Sequence, residues 1–181
     1  MCRWKIIKIE NDKYYTPNYL AHYCVNKTND IIGIENITEY LEPSAGNGIF
    51  IDYLQKNYIA YDIEPERPRI EKQNYLDIEL SYKQGRCVIG NPPYGRCLSM
   101  AQKFFKKSIQ LADYIAFILP ISQLNNTQSM YEFDLVYSED LGTHTYTDRE
   151  LHCCFNIYRR PESRELNKKP KTKLNDITIY R

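Results

Sequence analysis

The sequence predicts an α/β domain with a mostly parallel sheet and helices on both faces. Short apolar runs alternate along the chain with segments whose apolar residues recur at helical spacing. Clusters of Gly, Pro, Asn and Asp follow several of these runs directly. Ligands of such sheets collect at the carboxyl ends of the strands. We therefore expect the functional residues in these punctuated segments.

The predicted elements alternate in chain order. Strands are expected at residues 39–41, 58–61, near 75–76, and at 86–90 and 114–119. Helices are expected at residues 49–57 and 97–112, with a short one at 122–130. Residues 133–137 and 151–158 resemble a closing pair of strands joined by a polar loop at 138–150.

Size and composition limit the classes of function. A chain of 181 residues is most simply one domain, and its net charge of +1 gives no overall attraction to nucleic acid or an anionic membrane. No apolar run approaches membrane-spanning length, so no membrane association is expected. The six cysteines include no Cys-x-x-Cys pair, and the adjacent Cys153 and Cys154 suit a disulfide poorly. A reduced, cytoplasmic protein without a bound metal is the prediction.

The end of the chain differs in composition. Residues 159–173 hold seven Lys or Arg against two Glu, and Pro161 and Pro170 interrupt any helix. Such a segment is either a solvated terminus or an arm that contacts phosphates, and we favour the solvated terminus. The predicted organisation is a catalytic domain at residues 1–160 and a basic tail at residues 161–181.

Residues 91–94, Asn-Pro-Pro-Tyr, follow the apolar run at 86–90. Each proline fixes its own φ, and the residue before a proline is held extended, so the strand end is rigid. Carbonyl acceptors beside a tyrosine ring suit a planar amine. A simple turn that ends a strand uses the same residue types.

Residues 42–50, Glu-Pro-Ser-Ala-Gly-Asn-Gly-Ile-Phe, follow the first strand. Gly46 and Gly48 allow a tight turn and close approach of the backbone to a ligand. The segment lacks the full dinucleotide-binding and phosphate-loop patterns, so a compact nucleoside with an amino-acid part is a better fit. Asp62, at the end of the second strand, is placed to bind ribose hydroxyls.

Taken in order, these segments resemble the N6-adenine DNA methyltransferases that use S-adenosylmethionine (AdoMet). The resemblance covers residues 14–160. Thr16-Pro17 lies ahead of the glycine loop at residues 42–50, and this order of segments resembles the gamma arrangement of that family. It implies a Rossmann-like fold with a seven-stranded sheet. The matching segments are Tyr15-Thr16-Pro17, residues 42–50, Asp62-Ile63-Glu64-Pro65, Asn74-Tyr75-Leu76, residues 91–94 and Cys154-Phe155-Asn156-Ile157.

The resemblance also implies roles for individual residues. An AdoMet site is expected from Thr16, Pro17, Glu42, Ser44, Ala45, Gly46, Gly48, Asp62, Ile63, Asn74, Tyr75 and Asn91. At position 74 the family usually has an acid that accepts from the adenine amino group. The carbonyl of Asn74 accepts without the assistance of a charge. Asn91, Pro92 and Tyr94 are the expected catalytic residues, and Pro93 and Phe155 are expected to contact the base.

The predicted reaction is methyl transfer to the N6 amine of a flipped adenine. Two acceptors, the Asn91 side-chain oxygen and the Pro92 carbonyl, hold the amine while Tyr94 and Phe155 enclose the base. Other AdoMet enzymes with the same tetrapeptide methylate RNA amines or protein glutamines. A non-catalytic subunit with the methyltransferase fold is a further alternative. It is favoured by Asn74, which stands where the family usually has an acid.

DNA methyltransferases of this arrangement carry a recognition region after the catalytic domain, and about twenty residues follow the last predicted strand here. The resemblance implies DNA as the partner, with RNA as the alternative. Sequence choice is expected to be loose, or to come from surface loops, a separate specificity subunit or a homo-oligomer.

Overall fold

A computed structural model describes residues 14–170. Two helices and seven strands make up its regular structure, together with short 3₁₀ turns. The bounds are α1 Asn18–Ile32, β1 Glu39–Glu42, β2 Tyr58–Asp62, β3 Glu71–Lys72, β4 Arg86–Gly90, α2 Ser99–Ser108, β5 Tyr114–Pro120, β6 Asp134–Tyr146 and β7 Arg149–Arg159.

The seven strands form one sheet in the order β3-β2-β1-β4-β5-β7-β6. Strands β1 to β5 pair in parallel. Strand β7 runs antiparallel between β5 and β6. The predicted number of seven strands in one sheet is confirmed, and the sheet is mixed because β6 and β7 form a hairpin beside the parallel part.

One helix covers each face of the sheet. Side chains of α1, including Ala21 and Cys24, pack with Tyr40 of β1 and Ile89 of β4. On the other face, α2 packs its buried residues, Phe105 among them, against alternate residues of the same central strands. Every residue of β4 is buried, which explains its continuous apolar sequence.

Three predicted elements were wrong in kind. Residues 49–57 form a turn and a 3₁₀ helix at Ile51–Tyr53, because the chain is already extended at Leu54 and must reach β2 at Tyr58. Residues 75–77 are a 3₁₀ helix, and the third strand lies earlier, at Glu71–Lys72. The helix expected at 122–130 is only a 3₁₀ turn at Ile121–Gln123.

The closing hairpin is longer than predicted. Residues 138–146 and 149–150, expected in a loop, belong to β6 and β7, which a turn at 147–148 connects. The sequence is polar there because β6 is an edge strand with many partly exposed residues. Helix α1 was not predicted, although Leu20, Ala21, Cys24 and Val25 form its buried stripe.

The described start of the basic tail lies against the domain. Pro161 is buried, and the guanidinium groups of Arg160 and Arg164 bond to the carboxylate of Asp113 at 3.1 and 2.8 Å. Residues 162–169 are exposed. Residues 171–181 of the predicted tail lie outside the described residues. Across residues 14–170, no helix has the length and apolar character to cross a membrane.

Candidate active site

A cleft opens at the carboxyl ends of β1, β2 and β4, where the sequence placed the functional segments. Most of the predicted site residues line it together. These are Thr16, Glu42, Ser44, Ala45, Gly46, Asp62, Ile63, Asn74, Tyr75, Asn91, Pro92 and Pro93. Pro17, Gly48, Tyr94 and Phe155 do not line the cleft.

Eight further residues line the same cleft: Tyr14, Tyr15, Pro43, Asn47, Ile49, Phe50, Gln73 and Phe104. Several of them are adjacent in the sequence to predicted site residues, and this adjacency was the only sign in the sequence that they belong to the site. Phe104 had no such signal, since it belongs to the apolar face of α2 and its spacing fits an ordinary core position.

The glycine loop is fastened to the end of β2. Gly46 has a φ of +51°, and its backbone N–H donates to Oδ2 of Asp62 at 2.7 Å. Oδ1 of Asp62 accepts from the Glu64 N–H at 2.8 Å. The carboxylate predicted to bind a ribose therefore also fixes the loop, and a carboxylate oxygen has lone pairs for more than one donor.

Glu42 places a carboxyl group in the wall of the cleft. The residue is 1% exposed, and its Oε2 has no hydrogen-bond partner among the described residues. Burial raises the pKa of Glu42 well above its ordinary value, and the negative charges of Asp62 and Asp52 add to the effect. An unpaired buried acceptor costs free energy, which a cationic ligand group would offset.

Asn91 has its side-chain amide oriented by the segment that precedes α1. Nδ2 of Asn91 donates to Oγ1 of Thr16 at 3.3 Å and to the carbonyl of Tyr14 at 3.4 Å. The backbone carbonyl of Asn91 accepts from Oγ of Ser44 at 3.3 Å. Oδ1 is buried and has no hydrogen-bond partner within residues 14–170. Asn91 thus offers an unused acceptor at the cleft.

Asn74 uses its side chain locally. Its Oδ1 accepts from the N–H of Leu76 at 3.2 Å, and its Nδ2 donates to Oδ2 of Asp77 at 2.7 Å. The same residue caps the 3₁₀ helix that buries Tyr75, whose hydroxyl lies 2.8 Å from Oγ of Ser108. The carbonyl expected to accept from an adenine is therefore already engaged once.

Tyr94 and Phe155 belong to the core on the α1 side of the sheet. The hydroxyl of Tyr94 lies 3.5 Å from Sγ of Cys153, and burial raises the pKa of this phenol well above its ordinary value. As a whole residue, Tyr94 is half-buried and packs against this core. Phe155 is 0% exposed. In β7 its ring is enclosed in the core and does not line the cleft, so the base contact of Phe155 stays a prediction.

Pro17 has a structural place beside the cleft. Its carbonyl accepts from the N–H groups of Leu20 and Ala21, both at 3.0 Å, and so begins α1. Gly48, with a φ of +74°, turns the chain toward the 3₁₀ helix that follows the loop. Among residues 14–170, no three His, Cys, Asp or Glu side chains group closely enough to hold a metal.

No protein-family model matches the chain. The sequence is similar to the type II methyltransferases M.HincII and M.HindII of Haemophilus influenzae, each with 26% identity over 102 residues. These alignments cover 52% of this chain and 19% of each relative, so the chain spans about a fifth of the length of the curated relatives it matches.

Solved structures establish the fold. PH1948 of Pyrococcus horikoshii, to which RNA methyltransferase activity is ascribed, superimposes with a TM-score of 0.64 and 13% identity, covering 87% of this chain and 93% of that one. A Listeria monocytogenes protein ascribed to the class I AdoMet-dependent methyltransferases gives 0.65 and 12% identity, covering 91% and 66%. The chain has the Rossmann-like fold of these methyltransferases, as the sequence predicted.

Proposed function

We propose that this chain is an AdoMet-dependent methyltransferase that acts on the N6 amine of adenine in DNA. The fold, the similarity to type II methyltransferases and the shared cleft of the predicted segments support it. The observation that carries the proposal is the buried Oδ1 of Asn91, which has no hydrogen-bond partner in the described part of the chain and belongs to a residue that lines this cleft with Pro92.

The chain's residues fit the two ends of AdoMet. Glu42 offers a buried carboxyl group without a partner on Oε2, which suits the ammonium group of the amino-acid part. Ser44, Ala45 and Gly46 supply the loop beside it. Asp62 would bind the ribose hydroxyls, and Ile63, which is 49% exposed, would cover the adenine ring. Asn74 and Tyr75 would form the far wall.

Asn91 and Pro92 would act by holding the target amine. The adenine amine is a poor nucleophile because its lone pair is delocalised into the ring. Oδ1 of Asn91 and the carbonyl of Pro92 would accept hydrogen bonds from its two N–H groups, which favours a pyramidal nitrogen with an available lone pair. AdoMet, when bound, would supply an electrophilic methyl group, and its sulfonium sulfur would leave as a thioether when the bond to the methyl group breaks. Correct positioning of the amine accounts for most of the rate gain, and the methylated amine would afterwards release a proton to water.

The ring of Tyr94, a half-buried residue of the Asn-Pro-Pro-Tyr segment, is the proposed stacking face for the flipped base. Its hydroxyl is held against Cys153, so the ring is pre-positioned at little further entropic cost. Phe155 has no part in this arrangement, since its ring is enclosed in the core. Recognition of a particular DNA sequence would come from a further region, a specificity subunit or a second copy of the chain.

Methyl transfer with Asn91→Ala tests the proposal. The wild type is expected to transfer radiolabelled methyl groups from AdoMet to DNA in preference to RNA and protein. Asn91→Ala is expected to lose transfer by at least about 100-fold while AdoMet binding, measured by calorimetry, persists. Asn57→Ala, at an exposed position outside the cleft, is the matched control.

Three other results would contradict the proposed function. Retained transfer by Asn91→Ala would refute the role of the amide. Transfer by the wild type to RNA or to protein glutamine, and not to DNA, would replace the proposed substrate. Absence of AdoMet binding by the wild type would favour a non-catalytic subunit with the methyltransferase fold.

A further inference from the structure

Three basic side chains are exposed on α2 and in the turn that precedes it. Arg96, Lys103 and Lys106 are all exposed, and we call them the basic stripe. Lys103 and Lys106 lie on the outer face of α2 with Ser99, because residues at these spacings share one side of a helix. Within the described part of the chain, none of the three has a carboxylate partner within 4.0 Å.

The local composition singles out this surface. Residues 80–112 hold six Lys or Arg and no Asp or Glu, in a chain whose total charges almost cancel. Three of the six have structural partners: Lys83 and Arg86 bond to Glu39, and Lys107 donates to the carbonyl of Ile78. The other three form the basic stripe, so the charge without a carboxylate partner lies on α2 and in the turn that precedes it.

The stripe begins beside Tyr94. The N–H of Met100 in α2 donates to the carbonyl of Tyr94 at 3.1 Å, which fixes the start of the helix to residues 91–94. Between them, Cys97 and Leu98 have φ values of +52° and +66°. Two successive left-handed residues with side chains are costly and are concentrated at functional sites. Arg96 belongs to this strained turn.

Helix stability alone explains only part of the pattern. Lys106 and Lys107 lie in the last turn of α2, where cations interact favourably with the helix dipole. Arg96 precedes the helix and Lys103 lies in its middle, so the dipole favours neither. An exposed cation without a carboxylate partner suits a phosphate, which accepts from Arg and Lys.

We propose that the basic stripe binds the phosphate backbone of DNA next to the target base. This inference rests on the proposed function for its substrate class. At 1.5 Å per residue, Lys103 and Lys106 are about 4.5 Å apart along the axis of α2. One DNA strand advances about 3.4 Å per phosphate along the helix axis, so the two lysines match neighbouring phosphates. The contacts would position the duplex without reading its sequence.

Salt-dependent DNA binding tests the stripe. Binding of a fluorescent duplex is measured by anisotropy at several salt concentrations for Arg96→Gln, Lys103→Gln and Lys106→Gln. Each substitution is expected to weaken binding and to reduce the slope of log K against log salt by about 0.9. Lys56→Gln is the matched control. Lys56 is exposed just before β2, at the amino ends of the parallel strands and away from the cleft, so this variant should keep the wild-type slope.

The outcomes separate this inference from the proposed function. Wild-type slopes in all three variants, or no binding of the duplex by the wild-type protein, would overturn the stripe. Variants that bind RNA more weakly than the wild type does, but bind DNA equally well, would overturn the choice of DNA. Reduced slopes in a protein that transfers no methyl group to DNA would support the stripe and count against the proposed function. Unchanged thermal unfolding of each variant confirms that the fold is intact.

Discussion

Replacing Glu42 with Gln should change how the stability of the protein depends on pH. Glu42 is 1% exposed, and burial, with Asp62 and Asp52 nearby, raises the pKa of its carboxyl group well above the ordinary value of 4.5. The folded protein therefore keeps a proton that the unfolded chain releases as the pH rises through about 4.5. Stability from this group is complete below that pH and is lost as the pH rises toward the folded-state pKa.

One proton sets the magnitude. Between the unfolded and folded pKa values, the free energy of unfolding of the wild type should fall by up to about 1.4 kcal/mol per pH unit relative to Glu42→Gln. Urea unfolding at pH 4, 5, 6 and 7 measures the difference directly. Glu71→Gln, which removes an exposed carboxylate from β3, controls for the loss of charge.

Parallel curves for the wild type and Glu42→Gln would refute the buried, raised-pKa carboxyl group. The same variant also addresses the cofactor. If Glu42 binds the AdoMet ammonium, Glu42→Gln should lower AdoMet affinity by about 10-fold or more, since a charge-assisted hydrogen bond is lost. Wild-type binding should release protons into the buffer, which calorimetry in buffers of different ionisation enthalpy detects, and the variant should release fewer.

Two further substitutions test the scaffold. Gly46→Ala should destabilise the protein by about 1–2 kcal/mol and weaken AdoMet binding, because φ is +51° and the new Cβ would lie 3.0 Å from the ring of Tyr15. Thermal unfolding measures the loss of stability, and calorimetry measures the loss of binding. Asp113→Ala should cost about 3 kcal/mol in urea unfolding, because it leaves Arg160, whose side chain is only 13% exposed, without its carboxylate. Glu162→Ala, at an exposed ion pair, should change stability by less than about 0.5 kcal/mol, and equal losses in both would contradict the argument.

The central strands could be predicted closely because burial on both faces leaves a continuous apolar signal. The strand predicted at 86–90 is β4 at Arg86–Gly90, and the one at 114–119 is β5 at Tyr114–Pro120. The edge of the sheet could not be predicted as well. Strand β3 has two exposed residues and β6 is polar along much of its length, so neither carries that signal.

The sequence by itself determined which segments meet, because punctuated strand ends of a parallel sheet must lie at one edge. Residues 42–46, Asp62 and residues 91–93 accordingly share a cleft. Only the tertiary structure decided how each side chain is used there. Tyr14 and Thr16 turn the Asn91 amide so that Oδ1 has no hydrogen-bond partner among residues 14–170, and the place of β7 inside the sheet encloses Phe155. Both depend on contacts between residues far apart in the chain, which local pattern does not encode.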